Sequence, residues 1–160
     1  MIQFIPVSSE NELFLFRLFC TVKEPEVAAF GWDKSEREPF LHMQWNAQQH
    51  SYAARYPGAE HDLIVYEGEQ TGRIFVWRQP DRILLVDISL LPAYRNRGIG
   101  TSVIRMLQEE AFTGCKTLRL SVFPGNPAIR LYERLGFRRS DEHDYPLAMV
   151  WSGGRSLSSR

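Results

Sequence analysis

The sequence predicts an α/β chain built on a mixed sheet, and three observations predict it. Three β-rich runs, HDLIVYE, RIFVWR and RILLVDISLL, follow one another with little chain between them, as expected of neighbouring strands. Apolar groups then recur at helical spacing, with Ile99, Val103, Ile104, Leu107 and Ala111 on one face. After that helix the order is a strand, CKTLRLSVF, a short helix, NPAIRLYERLG, and further strand-like pieces. Strands alternating with helices put helices against a sheet.

The elements can be justified in order. IQFIPV reads as an opening strand. SSENE offers N-cap residues with a carboxylate downstream, and Leu13, Phe14, Phe16, Leu18 and Phe19 make the helix that follows rich in large apolar groups. WDKSEREPF starts a second helix. Ser35 and Glu38 have capping-box spacing, while Pro39 suits a first helical position, so the two signals place the start a few residues apart. This helix carries Phe40, Leu41, Trp45, Tyr52 and Tyr56 and ends near Pro57 and Gly58. HDLIVYE and RIFVWR form a hairpin around the turn GEQTG, and QPD separates it from RILLVDISLL. In NPAIRLYERLG, Asn126 fits the N-cap, Pro127 the first helical position and Gly136 the C-terminal cap. FRRS begins another strand and DYPLAMVW the last. SGGRSLSSR has no apolar period. One domain over residues 1–152 is expected, with 153–160 as a flexible tail.

Bulk properties narrow the function. The 160 residues are 44% hydrophobic and 24% charged, enough to fill one core. Lysine plus arginine and aspartate plus glutamate number 19 each, giving zero net charge. That balance disfavours bulk binding to nucleic acid or an anionic membrane. Cys20 and Cys115 form no short pair, so neither a zinc site nor a disulfide framework is expected, and both read as small core residues. His42, His50 and His61 lack metal-ligand spacing, so no metal is expected. No apolar run approaches a membrane span. MIQFIPVSSENE has no basic region ahead of an apolar run, so a cytoplasmic protein is expected.

The informative stretch is LLPAYRNRGIGTSVIRMLQEEA, where an apolar strand hands over to a helix beginning at about Gly98. The first turn of that helix has unsatisfied N–H groups and the positive end of the macrodipole. Gly98 and Gly100 let an anion approach the backbone, Thr101 can add a hydroxyl donor, and Arg95 and Arg97 add charge. This pattern reads as a phosphate cradle or as a plain strand-to-helix turn with solvated arginines. It lacks the lysine of the nucleoside-triphosphate loop and the third glycine of the dinucleotide fingerprint.

RNRGIG resembles the R/Q-x-x-G-x-G/A loop of the GCN5-related N-acetyltransferases (GNAT), and VDISLLPAY resembles the strand before it. NPAIRLYERLGF is similar to that family's second signature, N-x-x-A-x-x-L-Y-x-x-x-G-F. The resemblance covers residues 62–140. It implies a mixed, mostly antiparallel central sheet with splayed parallel strands, flanked by helices. It also implies acetyl-CoA as cosubstrate. Its pyrophosphate would sit on backbone amides of Arg95, Asn96, Arg97, Gly98, Ile99, Gly100 and Thr101. Its pantetheine arm would pair with backbone near Ser89, Leu90 and Leu91, where an N–H would polarise the thioester carbonyl. Tyr132 would protonate the departing thiolate, and Asn126 would contact coenzyme A or substrate, or simply cap its helix. A homodimer through the last strand is a further implication.

An amine must be neutral to attack, so a base is needed, directly or through water. Some family members carry a glutamate in the strand before the second motif, where this sequence has Ser121. Asp87 is the carboxylate nearest the coenzyme strand, and a charge inside an apolar strand needs a reason. Catalysis, binding of the substrate amine and a structural hydrogen bond all remain open. Glu67 and Glu69 flank a turn, and Asp141, Glu142, His143 and Asp144 read as a solvated acidic loop. Trp32, Trp45, Tyr52 and Tyr56 line an acceptor pocket or belong to the core, and they incline the acceptor toward a small-molecule amine. The alternative function is a non-catalytic acyl-CoA-binding regulatory module.

Overall fold

The structure is a computed structural model, and it describes residues 1–140 and 146–153. Seven strands and four α-helices follow in the order β1 (Ile2–Pro6), α1 (Glu12–Ala28), α2 (Lys34–Arg55), β2 (Glu60–Tyr66), β3 (Glu69–Arg78), β4 (Arg82–Leu90), α3 (Ile99–Thr113), β5 (Thr117–Val122), α4 (Ala128–Arg134), β6 (Arg138–Arg139) and β7 (Leu147–Trp151). The strands form one mixed sheet in the order β1-β2-β3-β4-β5-β7-β6, in which β4 and β5 are the parallel pair. This is the mixed, mostly antiparallel sheet that the sequence resemblance implied. Two compact units divide the chain, residues 1–75 with 87–97 and residues 76–86 with 98 onward. Strands β3 and β4 contribute to both.

In the first unit, β1 pairs antiparallel with β2, Ile2 opposite Tyr66 through to Pro6 opposite Asp62. The β2/β3 hairpin turns on Glu67 and Gly68 alone, both at positive φ (50° and 80°). Two such residues make the turn whose twist matches flanking strands. The expected turn GEQTG was therefore too long. Glu69, Gln70, Thr71 and Gly72 already belong to β3. Leu15, Leu18 and Phe19 of α1 and Leu41 and Trp45 of α2 are buried at helical spacing. Of these, Leu15, Phe19, Leu41 and Trp45 pack with Val27, Leu63 and Val65 into this unit's core.

The second helix starts on neither expected signal. Asp33 is the cap: its carboxylate accepts from the Glu36 N–H at 3.0 Å, and the Glu36 carboxylate accepts from the Asp33 N–H at 3.2 Å. That is a capping box two residues earlier than Ser35 and Glu38. Pro39 lies inside α2.

In the second unit, α3 buries Ile99, Val103, Ile104, Leu107 and Ala111, the face read from the sequence. The parallel β4/β5 register runs from Arg82 opposite Thr117 to Leu85 opposite Leu120, while β4 itself continues to Leu90. β5 then pairs antiparallel with β7. Cys115 is exposed at φ 58° in the turn after α3, so it is not the core residue expected, and Cys20 is half-buried. Among the described residues no helix is long and apolar enough to cross a membrane.

Gly72 sets the spacing at one end of β4. A Cβ there would lie 2.0 Å from the Ser89 carbonyl oxygen and 3.0 Å from the Leu90 Cα, both backbone. Only a bare Cα permits this approach. Gly72→Ala should lower stability by about 3 kcal/mol, measured by urea unfolding. A loss under about 0.5 kcal/mol would mean the two strands separate freely here.

Candidate active site

β4 ends at Leu90, a single 3-10 turn spans Pro92–Tyr94, and α3 begins at Ile99. Asn96 and Gly98 adopt left-handed conformations (φ 59° and 83°) on the way. No side chain caps α3. Its first intrahelical bond runs from the Ser102 N–H to the Gly98 carbonyl at 3.0 Å. The N–H groups of residues 99–101 therefore point out of the helix end, where the macrodipole is positive. A Cβ on Gly100 would meet nothing within 4 Å, and its φ is not in the left-handed region. The protein's own packing therefore gives no reason for glycine at 100. Glycine leaves open backbone at the helix end, of the kind an anion can approach closely.

Two arginines shape the loop. Arg95 Nε donates to the Leu90 carbonyl at 2.9 Å. The Arg97 guanidinium lies 5.4 Å from the Tyr94 ring centroid and 6.0 Å from that of Tyr66. Both side chains tie the loop to its own unit and remain exposed, so each still presents charge to solvent.

Ser89, Leu90 and Leu91, the residues at the end of β4 and just after it that were read as coenzyme contacts, are not equivalent. The Leu91 N–H donates to the Thr71 carbonyl at 2.8 Å and is already used. The Ser89 carbonyl faces Gly72 on the same side. Strand alternation turns Leu90 the other way, and its carbonyl indeed meets Arg95 rather than β3. Leu90 therefore carries the N–H on the edge of β4 turned away from β3.

The helix α4 is fixed at both ends. Asn126 Oδ1 accepts from the Ala128 N–H at 2.9 Å, and Pro127 already has helical dihedrals, so Asn126 is the cap in physical terms. Asn126 stands two residues before Ala128, where the family signature puts its asparagine three before. At the other end the Phe137 N–H donates to the Tyr132 carbonyl and the Gly136 N–H to the Glu133 carbonyl, both at 3.0 Å, with Gly136 at φ 96°. These two bonds are a Schellman motif, which explains the Gly-Phe ending. Gln108 of α3 donates to the Leu135 carbonyl at 2.8 Å, anchoring α4. Tyr132 is half-buried, its ring 5.8 Å from that of the buried Phe137.

Asp87 has a partner that sequence reasoning missed. Arg73, with a side chain only 4% exposed, donates from Nη2 to Asp87 Oδ2 at 2.5 Å and to Gln48 Oε1 at 2.6 Å. Its guanidinium also lies 5.3 Å from the Trp45 ring and 5.9 Å from Tyr52. Trp45, Gln48 and Tyr52 share one face of α2 at helical spacing. Trp45 is thus core, and Tyr52 packs against Phe75 with the rings tilted at 53° rather than standing free. Ser89 Oγ donates to Asp87 Oδ1 at 3.3 Å. Asp87 and Ser89, two residues apart on a strand, face the same way. With Arg73, Gln48 and Lys23 they form the polar wall of a cavity of about 80 Å³, whose apolar wall is Leu18, Phe19 and Val22 of α1. Asp87 inside an apolar strand was the available signal, since Arg73 opens the run RIFVWR and stands inside β3 only because that strand begins at Glu69. Arg73 stands as far before the 79–81 turn as Asp87 stands after it.

Burial and this ion pair shift two neighbours. The Tyr52 hydroxyl is pushed up to about 12 by burial and then by the Asp87 charge. His61 is pushed down to about 4, first by burial and then by Arg73.

The other expectations fall away from this cluster. Ser121 is exposed in β5 opposite Ala148. Glu67 pairs with the N-terminal ammonium. Asp141, Glu142, His143 and Asp144 lie outside the described residues. Among the described residues no group of three His, Cys, Asp or Glu side chains is placed to hold a metal.

The profile of the acetyltransferase (GNAT) family matches residues 20–137. The chain belongs to this family. The thialysine N-epsilon-acetyltransferase of Mus musculus is 37% identical over 82 residues, 49% of this chain and 48% of that one. The mycothiol acetyltransferase of Corynebacterium glutamicum is 29% identical over 134 residues, 75% of this chain and 44% of the other. The chain thus spans about half the length of the curated relatives it matches. Among solved structures, the PaiA N-acetyltransferase of Thermoplasma acidophilum in complex with coenzyme A has the same fold. Its TM-score is 0.68 at 16% identity, over 95% of this chain and 99% of that one.

The site also makes a pH prediction. Folded His61 stays neutral down to about pH 4, whereas an unfolded histidine protonates near about 6.5. Between those values the unfolded chain binds more protons, so stability should fall as pH drops through that window. Urea midpoints between pH 7 and about 4 should show this decline for the wild type and a flatter profile for His61→Phe. Equal slopes would contradict it.

Proposed function

We propose that this protein is an acetyl-CoA-dependent N-acetyltransferase that passes the acetyl group directly to a primary amine on a small molecule. The observation that carries the reading is the uncapped N-terminus of α3, with its open ledge at Gly100, directly after β4. Backbone N–H groups at residues 99–101, with Arg95 and Arg97 beside them, suit a pyrophosphate. Family membership and the two named relatives, both named for small molecules, support the activity and the acceptor size.

Acetyl-CoA supplies the activated thioester. The rest belongs to this chain. The Leu90 N–H, on the outer edge of β4, is the donor suited to a carbonyl oxygen gaining negative charge, since the Leu91 N–H is spent on Thr71. Tyr132, held on the doubly capped α4, offers its phenolic hydroxyl to a leaving thiolate. Asp87, with Ser89 beside it, orients the acceptor amine and takes the proton it loses, directly or through water, and is itself kept in place by Arg73.

Calorimetric binding of acetyl-CoA and thiol release with an amine panel test this in wild type, Gly100→Leu and Tyr132→Phe. Gly100→Leu should fold normally, because its Cβ meets nothing, yet weaken acetyl-CoA binding about tenfold or more. Tyr132→Phe should bind acetyl-CoA as wild type does and turn over about 10²–10⁴-fold more slowly. A folded wild type that does not bind acetyl-CoA would overturn the proposal, and unchanged turnover in Tyr132→Phe would remove the acid.

A further inference from the structure

We infer that the acceptor carries a carboxylate as well as its amine, the carboxylate seated by Arg73 and Lys23 and the amine by Asp87. The inference rests on the acetyltransferase reading and names the substrate class of that site.

Three features of the cavity beside α1 carry it. The first is sign. Its charged lining is Lys23, Arg73 and Asp87, two cations against one anion. The Asp87 charge is already met by Arg73. A purely cationic acceptor such as a polyamine would bring further positive charge to a lining with a positive excess. The nearest countercharge to Lys23 is Glu26, 3.7 Å away and more than half exposed, and such a pair is weak and screened.

The second feature is an unmet donor. Arg73 Nη1 is buried and has no hydrogen-bond partner among the described residues. A buried charged donor without an acceptor is costly. Arg73 lines the cavity, so an acceptor oxygen arriving there, with a small rotation of the guanidinium, supplies what Nη1 lacks. A guanidinium fork matches a carboxylate in geometry as well as charge.

The third feature is size. About 80 Å³ is room for a few water-sized groups. That suits a headgroup of a few heavy atoms, an ammonium and a carboxylate on one carbon. The apolar wall of Leu18, Phe19 and Val22 then takes carbon, leaving Asp87 and Ser89 for the nitrogen. The arrangement separates the two charges of a zwitterion along the wall that α1, β3 and β4 provide.

Amines paired with their carboxylated forms test this: lysine against cadaverine, ornithine against putrescine, phenylalanine against phenethylamine. Each is assayed for acetyl transfer by the whole chain, with acetyl-CoA binding measured separately by calorimetry. The carboxylated member of at least one pair should have a kcat/KM about tenfold or more above its partner. Lys23→Glu, a change on a partly exposed helix position, should bring that ratio to one or below while acetyl-CoA binding stays unchanged. The inference is overturned if the decarboxylated amines are used as well or better, or if acetyl-CoA binds and no carboxylated amine is acetylated. Failure to bind acetyl-CoA is a separate result, which overturns the acetyltransferase reading beneath it.

Discussion

The ion pair of Arg73 and Asp87 is the constraint on which the first unit depends. A guanidinium 4% exposed to solvent is tolerable only if its charge is met. Meeting it ties β4 and α2 to the arginine on β3. Asp87 must sit on β4 facing the helices, Gln48 must point in from α2, and the Trp45 and Tyr52 rings must flank the cation. The same charges reach outward in the opposite shifts of Tyr52 and His61. One buried arginine thus sets the packing, the electrostatics and the position of Asp87, the carboxylate proposed to meet the amine.

The coenzyme side of the proposal is solved by backbone instead of side chains. Gly72 lets β3 approach the end of β4 so closely that Ser89 and Leu90 have one possible path. The Leu91 N–H then closes on Thr71, and the chain leaves through a 3-10 turn into two left-handed residues before α3. The exposed N–H groups at the start of α3 begin nine residues after Leu90. The proposal thus draws on two chemistries: neutralisation of a buried charge by side chains, and recognition of an anion by uncapped backbone.

Much of this was legible in the sequence where the signal is local. The α3 face, the start at Gly98, the asparagine–proline opening of α4 and its glycine ending all follow from dihedral preferences and orphan hydrogen-bond groups, and the structure has them. Signals that depend on a partner far along the chain were harder. Gly72 reads as a turn residue because nothing in GEQTG reveals that β4 will pass close by; the two-residue turn at Glu67 and Gly68 decides otherwise. Asp33 and Glu36 outcompete Ser35 and Glu38 because a carboxylate cap is available sooner. Asp87 was visible as an anomaly in its strand, but its meaning lay in Arg73, which alone looked like an ordinary strand-end residue. Cys115 looked apolar enough for the core, yet the turn after α3 leaves it outside.

The most direct measurement is a double-mutant cycle on unfolding free energy with Arg73→Met, Asp87→Leu and the double variant. If the ion pair is the organising constraint, each single change strands a buried partner and should cost about 3 kcal/mol or more. The double variant, with both charges gone, should then cost less than the two singles summed, by at least about 1 kcal/mol. Single costs within about 0.5 kcal/mol, or costs that simply add, would contradict the account.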